Sequence, residues 1–199
     1  MPGFRPTALA AATALAAAMY AAPTIAAQTL YTTTLSGAAE SPPVASDGVG
    51  FAIVTVDDTT FTMRVQTIFA GLTGNVTVAH IHCCTAVPGE GTVGVATTLP
   101  TFAGFPAGGT SGSYDVTFDM LSPASWNPAF VTNNDGLEGA FAALSAGLNS
   151  HSAYLNIHTD YAPGGEIRGF LVPVPEPASY ALMAGGLALV GWMARRRRA

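Results

Sequence analysis

Between residues 28 and 172 apolar and polar positions alternate over short runs, and no long stretch repeats at the helical period. Residues 51–56, 61–69, 76–82, 114–120, 153–158 and 167–172 read as strands, rich in Val, Ile, Thr, Phe and Tyr. Turn chemistry separates them at Asp57-Asp58-Thr59-Thr60, at Gly71 to Asn75, and at Ala162-Pro163-Gly164-Gly165. Short strands at this spacing predict an all-β domain, an antiparallel β-sandwich or barrel-like fold. One segment departs from the pattern: Leu137, Phe141, Leu144 and Leu148 recur at helical spacing, which predicts one short helix over residues 137–148 packed on the sheet. Residues 100–112 are rich in Gly, Pro and Phe and predict a loop, with Phe102 and Phe105 covering an open end of the sheet.

The two ends have a different texture. Residues 1–27 carry Arg5, an uncharged Ala/Leu run and a small-residue exit at Ala26-Ala27, the order of a secretory signal peptide. Residues 173–199 carry Pro175-Glu176-Pro177, an uncharged stretch at 178–194 and four arginines at 195–198. The uncharged stretch is read as a short transmembrane helix, and the arginines hold its end on the cytoplasmic side. This tail resembles the PEP-CTERM sorting signal of Gram-negative bacteria that make exopolysaccharide, with motif, span and basic run in the required order. The resemblance implies export through the Sec translocon, transient membrane tethering by the C-terminal helix, recognition by an exosortase, and release at the cell surface or outside the cell. The organisation expected is therefore signal peptide 1–27, β domain 28–172 and sorting signal 173–199.

Charge sharpens that division. The chain has no lysine and seven arginines, five of which lie in the terminal segments. Residues 28–172 keep only Arg64 and Arg168 against eleven carboxylates, a net charge of −9. Such a body has no electrostatic footprint for a phosphate backbone, which excludes nucleic acid as a partner. It would also repel an anionic polysaccharide unless calcium or another divalent cation bridged the two. Glu166 and Arg168 fall at i and i+2, on one face if the strand is regular, so a structural ion pair of Arg168 with Glu166 or a nearby acid is expected.

The densest chemistry is His80-Ile81-His82-Cys83-Cys84. Alternate strand residues share a face, so His80 and His82 point together, a bidentate start for copper or zinc. His158, on the strand at 153–158, is the leading candidate for a third ligand; His151 is less constrained. The competing reading is that these rings only complete hydrogen bonds. Cys83 and Cys84 are the only cysteines, in a chain bound for an oxidising space. A vicinal disulfide, thiolates added to the histidine pair, and intermolecular bridges all remain open. No G-x-S-x-G, H-E-x-x-H or phosphate-cradling glycine loop is present, and no catalytic residue is assigned.

The body also resembles the CHRD domain, first described in chordin and present in bacterial secreted proteins. The likeness rests on Leu35 to Val44, on Ala79-His80-Ile81-His82, and on Ala153 to Thr159 followed by Pro163 to Gly169. It implies an extracellular all-β module that binds rather than catalyses; Cys83-Cys84 replaces the Gly-containing turn common after the histidine pair. The His-x-His strand is similar, on that motif alone, to copper/zinc superoxide dismutase. Two functions follow as expectations. One is a biofilm or exopolysaccharide-associated matrix protein; the other is a periplasmic or extracellular copper or zinc protein, an oxidoreductase in its superoxide-dismutase-like form, centred on His80, His82 and His158.

Overall fold

The computed structural model describes residues 28–175 and 177–196, with backbone alone for 177–181. The expected signal peptide, Glu176 of the sorting motif, and Arg197 and Arg198 lie outside the described residues. Eight strands form: β1 (Gln28–Ser36), β2 (Val49–Asp57), β3 (Thr62–Ala70), β4 (Val76–His82), β5 (Gly112–Asp119), β6 (Tyr154–Thr159), β7 (Ile167–Phe170) and β8 (Val172–Pro173). Among the described residues three α-helices accompany them, α1 (Pro128–Asn133), α2 (Leu137–Asn149) and α3 (Pro177–Arg196).

The strands make one antiparallel sheet in the order β4-β6-β7-β1-β2-β3-β5, with β8 beside β1, curled into a half-barrel. The all-β expectation holds, and the helix expected over 137–148 is α2. The strand expectations agree to within two residues, but β1 was not foreseen. Its inward positions are Thr29, Tyr31, Thr33 and Leu35 and its outward ones Gln28, Leu30, Thr32, Thr34 and Ser36, so threonine falls on both faces and the apolar contrast that marks a strand is weak. It nevertheless pairs with β2 over nine residues, from Gln28 opposite Asp57 to Ser36 opposite Val49.

The inner face of the sheet holds the core. Tyr31, Val54, Met63, Val65, Ile81, Leu155 and Ile157 pack there against Phe141, Leu144 and Leu148 of α2. Phe102 and Phe105 are themselves core residues, stacked or tilted against Tyr114 and Phe69, so the loop that carries them is pinned rather than free. The N-terminal end of α2 has Gly136 at φ 106°, a conformation a β-carbon would resist.

α3 covers twenty residues, including the uncharged stretch 178–194. Among the described residues no helix is long and apolar enough to cross a membrane. Seventeen residues of α-helix reach about 25 Å against a hydrocarbon core of about 30 Å, and much of the stretch is alanine and glycine.

The expected pair of Glu166 with Arg168 does not form. β7 begins at Ile167, and Gly165 at φ 125° turns the chain just before Glu166, so strand alternation does not relate the two side chains. Glu166 is fully buried and accepts from Ser46 Oγ (2.6 Å), Thr159 Oγ1 (2.6 Å), Thr73 N (2.6 Å) and Gly74 N (3.0 Å). Burial pushes its pKa up, but these hydrogen bonds outweigh it and hold the carboxyl below its ordinary value. The carboxylate thereby ties the turn after β3, the segment before β2 and the end of β6 into one knot.

A carboxyl whose folded pKa lies below the unfolded value stabilises the fold above the unfolded pKa and loses that contribution as pH falls through the folded one. Glu166→Gln, which turns one acceptor oxygen into a donor facing other donors, is expected to cost about 2–3 kcal/mol at pH 7. The loss should shrink below about pH 4. Denaturant titrations at the two pH values check this; an equal loss at both would refute the ionised knot.

Candidate metal centre

β4 and β6 run antiparallel with Val78 opposite His158, His80 opposite Asn156 and His82 opposite Tyr154. Alternation sends Ala79, Ile81, Leu155 and Ile157 to the core and His80, His82, Tyr154, Asn156 and His158 to the outer face. On most half-barrels that face would be wet. Here every residue of β6 is buried, because loop backbone from Gly91 to Pro100, Ala39-Glu40 and Pro163 lies over the outer face.

His80, His82 and His158 are 5%, 9% and 7% exposed. The His80 ring centroid lies 4.7 Å from each of the other two, which are 5.9 Å apart. One nitrogen from each ring lies within 4.8 Å of those of the others. Each Nδ1 meets a backbone carbonyl: His80 with Pro100 at 3.1 Å, His82 with Val93 at 2.7 Å, His158 with Pro163 at 2.9 Å. A carbonyl only accepts, so each Nδ1 carries the proton and donates it, which leaves a lone pair on every Nε2. All three Nε2 atoms are buried without a hydrogen-bond partner.

Electrostatics keep the rings neutral. Desolvation lowers the pKa of His80 to about 3, helped by the neighbouring His158 and His82. Desolvation likewise takes His82 to about 4, against the Val93 hydrogen bond and with His158 and Arg168 adding to the fall. His158 is lowered for the same first reason. Three neutral imidazoles with free Nε2 lone pairs are a tridentate nitrogen donor set of the kind zinc and copper accept, with orienting hydrogen bonds already in place.

The surrounding polar residues brace this set. Tyr154 stacks on His82, with ring centroids 4.7 Å apart. Arg168 lies over Tyr154 at 4.8 Å and donates from Nε to the Ala39 carbonyl (2.5 Å) and from Nη1 to the Gly91 carbonyl (2.9 Å). Its carboxylate neighbour is Glu40, with Oε2 3.7 Å from Arg168 Nε, and this replaces the expected Glu166 partner. Burial pushes Glu40 up to about 7, against the opposing charge of Arg168 and a hydrogen bond from Asn156. The other body arginine, Arg64, forms an exposed two-point pair with Asp115 at 2.7 and 2.6 Å across β3 and β5.

Of the residues expected from sequence, His80, His82 and His158 come together. His151 stands apart, exposed at φ 60° beyond the end of α2. Cys83 and Cys84 are bonded to each other and lie against α2, on the other side of the sheet from the histidine face. Glu40, Tyr154 and Asn156 were missed. Asn156 and Tyr154 share the period-two face of His158, a signal that was present; Glu40 reaches the site only through the fold.

The fold is an antiparallel β domain with a buried polar face, followed by a C-terminal helix. Comparison with known families matches residues 31–171 to the CHRD domain and residues 173–198 to the PEP-CTERM protein-sorting motif. The chain belongs to the CHRD domain family. Its C-terminal motif marks an exported protein, anchored and then processed, for the cell surface or the extracellular space. No curated protein and no solved structure matches the chain.

Rings whose folded pKa lies below the unfolded value of about 6.5 stabilise the fold above that value. This contribution fades as pH falls toward about 4 for His82 and about 3 for His80. The metal-free protein should therefore lose stability on acidification from pH 6.5, by up to about 1.4 kcal/mol per pH unit for each ring. Denaturant midpoints between pH 7.5 and 4.5 measure the slope, which Glu40, with its value raised to about 7, opposes by about one ring's contribution; a flat profile would contradict three buried neutral imidazoles.

Proposed function

We propose that the mature domain is an extracellular metal-binding module in which His80, His82 and His158 hold one zinc or copper ion through their Nε2 atoms. The observation that carries this reading is the set of three buried Nε2 lone pairs, each without a partner and each oriented by a carbonyl on Nδ1. Unpartnered buried acceptors cost free energy, and a single cation would satisfy all three. The lone pairs are sealed from water, so the centre reads as a binding or structural one rather than a site of turnover. The superoxide-dismutase-like alternative would need an open coordination position.

A role at the exopolysaccharide or protein matrix is the second reading. It is favoured by the exposed apolar positions Val49, Phe51 and Ile68 on the outer face of β2 and β3, beyond the loops that cover the histidines. Exosortase processing would deliver the domain to that matrix, and divalent cations would bridge its acidic surface to anionic polymer.

The exported protein is expected to carry about one equivalent of zinc or copper. His80→Ala with His82→Ala should abolish it and lower the melting temperature, while His151→Ala should retain both. Elemental analysis beside thermal melting decides, and metal-free wild-type protein that gains no stability from added metal would sink the reading. Because the ligands' pKa values are already low, bound metal should persist on acidification past pH 6.5.

Replacement of Pro175, Glu176 and Pro177 by alanine is expected to leave the precursor unprocessed in the membrane fraction. Immunoblots of cell and medium fractions test this, and normal release of the variant would refute processing through the motif.

A further inference from the structure

A second reactive group lies on the opposite side of the sheet. Cys83 and Cys84 are sequence neighbours joined by a disulfide at the end of β4. A disulfide stabilises a fold largely by closing a loop in the unfolded chain, and the effect grows with loop length. Between adjacent residues almost nothing is closed, so this bond is a poor staple. The two residues also differ in access. Cys83 is 3% exposed and belongs to the core, whereas Cys84 is exposed.

α2 is shaped around the pair. The Ala143 carbonyl oxygen lies 3.5 Å from Cys84 Sγ and 4.0 Å from Cys83 Sγ. One turn further along the helix, Gly147 has no side chain where a β-carbon would run into both sulfurs. A disulfide has no proton to donate to the Ala143 carbonyl, but a thiol does. The Ala143 carbonyl, which already accepts the helix hydrogen bond from Gly147, could therefore share its second lone pair with a thiol but not with the disulfide.

We propose that Cys83–Cys84 is a thiol–disulfide exchange site whose co-reactant is an external dithiol attacking at Cys84. The incoming thiolate bonds to Cys84 Sγ, the bond between the two cysteines breaks, and its electron pair leaves on Cys83 Sγ, which takes up a proton. The second thiol of the partner then attacks its own sulfur in the mixed disulfide and releases Cys84, which takes up the other proton. The partner is oxidised to a disulfide and the pair is reduced to two thiols, so atoms and electrons balance. Export to an oxidising space keeps the resting form oxidised, and accessibility alone sets the direction of attack.

The test uses the natively folded exported protein. Dithiothreitol without denaturant should release two thiols per chain at a rate within about tenfold of that in denaturant. Alkylation with mass spectrometry under limiting glutathione should find the mixed disulfide on Cys84. A Cys83→Ser variant should take up one glutathione from glutathione disulfide at Cys84, and mapping on the wild type gives the same answer if that variant does not fold. A bond that yields to reductant only as the chain unfolds would overturn the proposal. So would an adduct found on Cys83.

Discussion

The sealing of a polar sheet face beneath loop backbone is the constraint on which the rest of this structure depends. β4, β6 and β7 present His80, His82, His158, Asn156 and Arg168 away from the core, and each is nonetheless buried. Desolvating such groups costs free energy unless every polar atom is matched. The loops supply most of the match: carbonyls of Val93, Pro100 and Pro163 accept from the three rings, and those of Ala39 and Gly91 accept from Arg168. The loops are thus positioned by the same side chains that they cover.

That arrangement leaves the three Nε2 atoms unmatched. Each Nδ1 is used, so each Nε2 is spare, and the low pKa values keep protons from filling the gap at neutral pH. A buried carboxylate elsewhere in the same fold shows the contrast. Glu166 has four donors around it and nothing left over, and its role is to hold three chain segments together. Two buried polar clusters therefore differ in kind: one is closed on itself, the other keeps three Nε2 atoms without a partner.

Much of this was legible along the chain, and the failures have identifiable causes. The strands 76–82 and 154–159 and the helix over 137–149 follow from apolar periodicity, since their core contacts alternate with polar positions. β1 was not legible because threonines fill much of both its faces. The Glu166–Arg168 pair was misread because a two-residue spacing implies a shared face only inside a regular strand, and Gly165 ends that regularity just before Glu166. Phe102 and Phe105 lie in the expected loop, and only their long-range contacts show how fully they enter the core.

The division between the two levels is a matter of range. By itself the sequence determined the C-terminal sorting segment, the antiparallel all-β character, the shared face of His80 and His82 and the adjacency of Cys83 and Cys84, because each is written in spacings of a few residues. Only the tertiary structure decided that His158 joins the pair, that Arg168 lies beside Glu40, and that the cysteines turn toward Ala143 and Gly147 of α2. It also decided the tautomers, through carbonyls 5 to 20 residues away from the rings they hold. Partners so placed are chosen by strand register and loop closure rather than by local pattern, and an unpartnered lone pair can be recognised only when all of its neighbours are known.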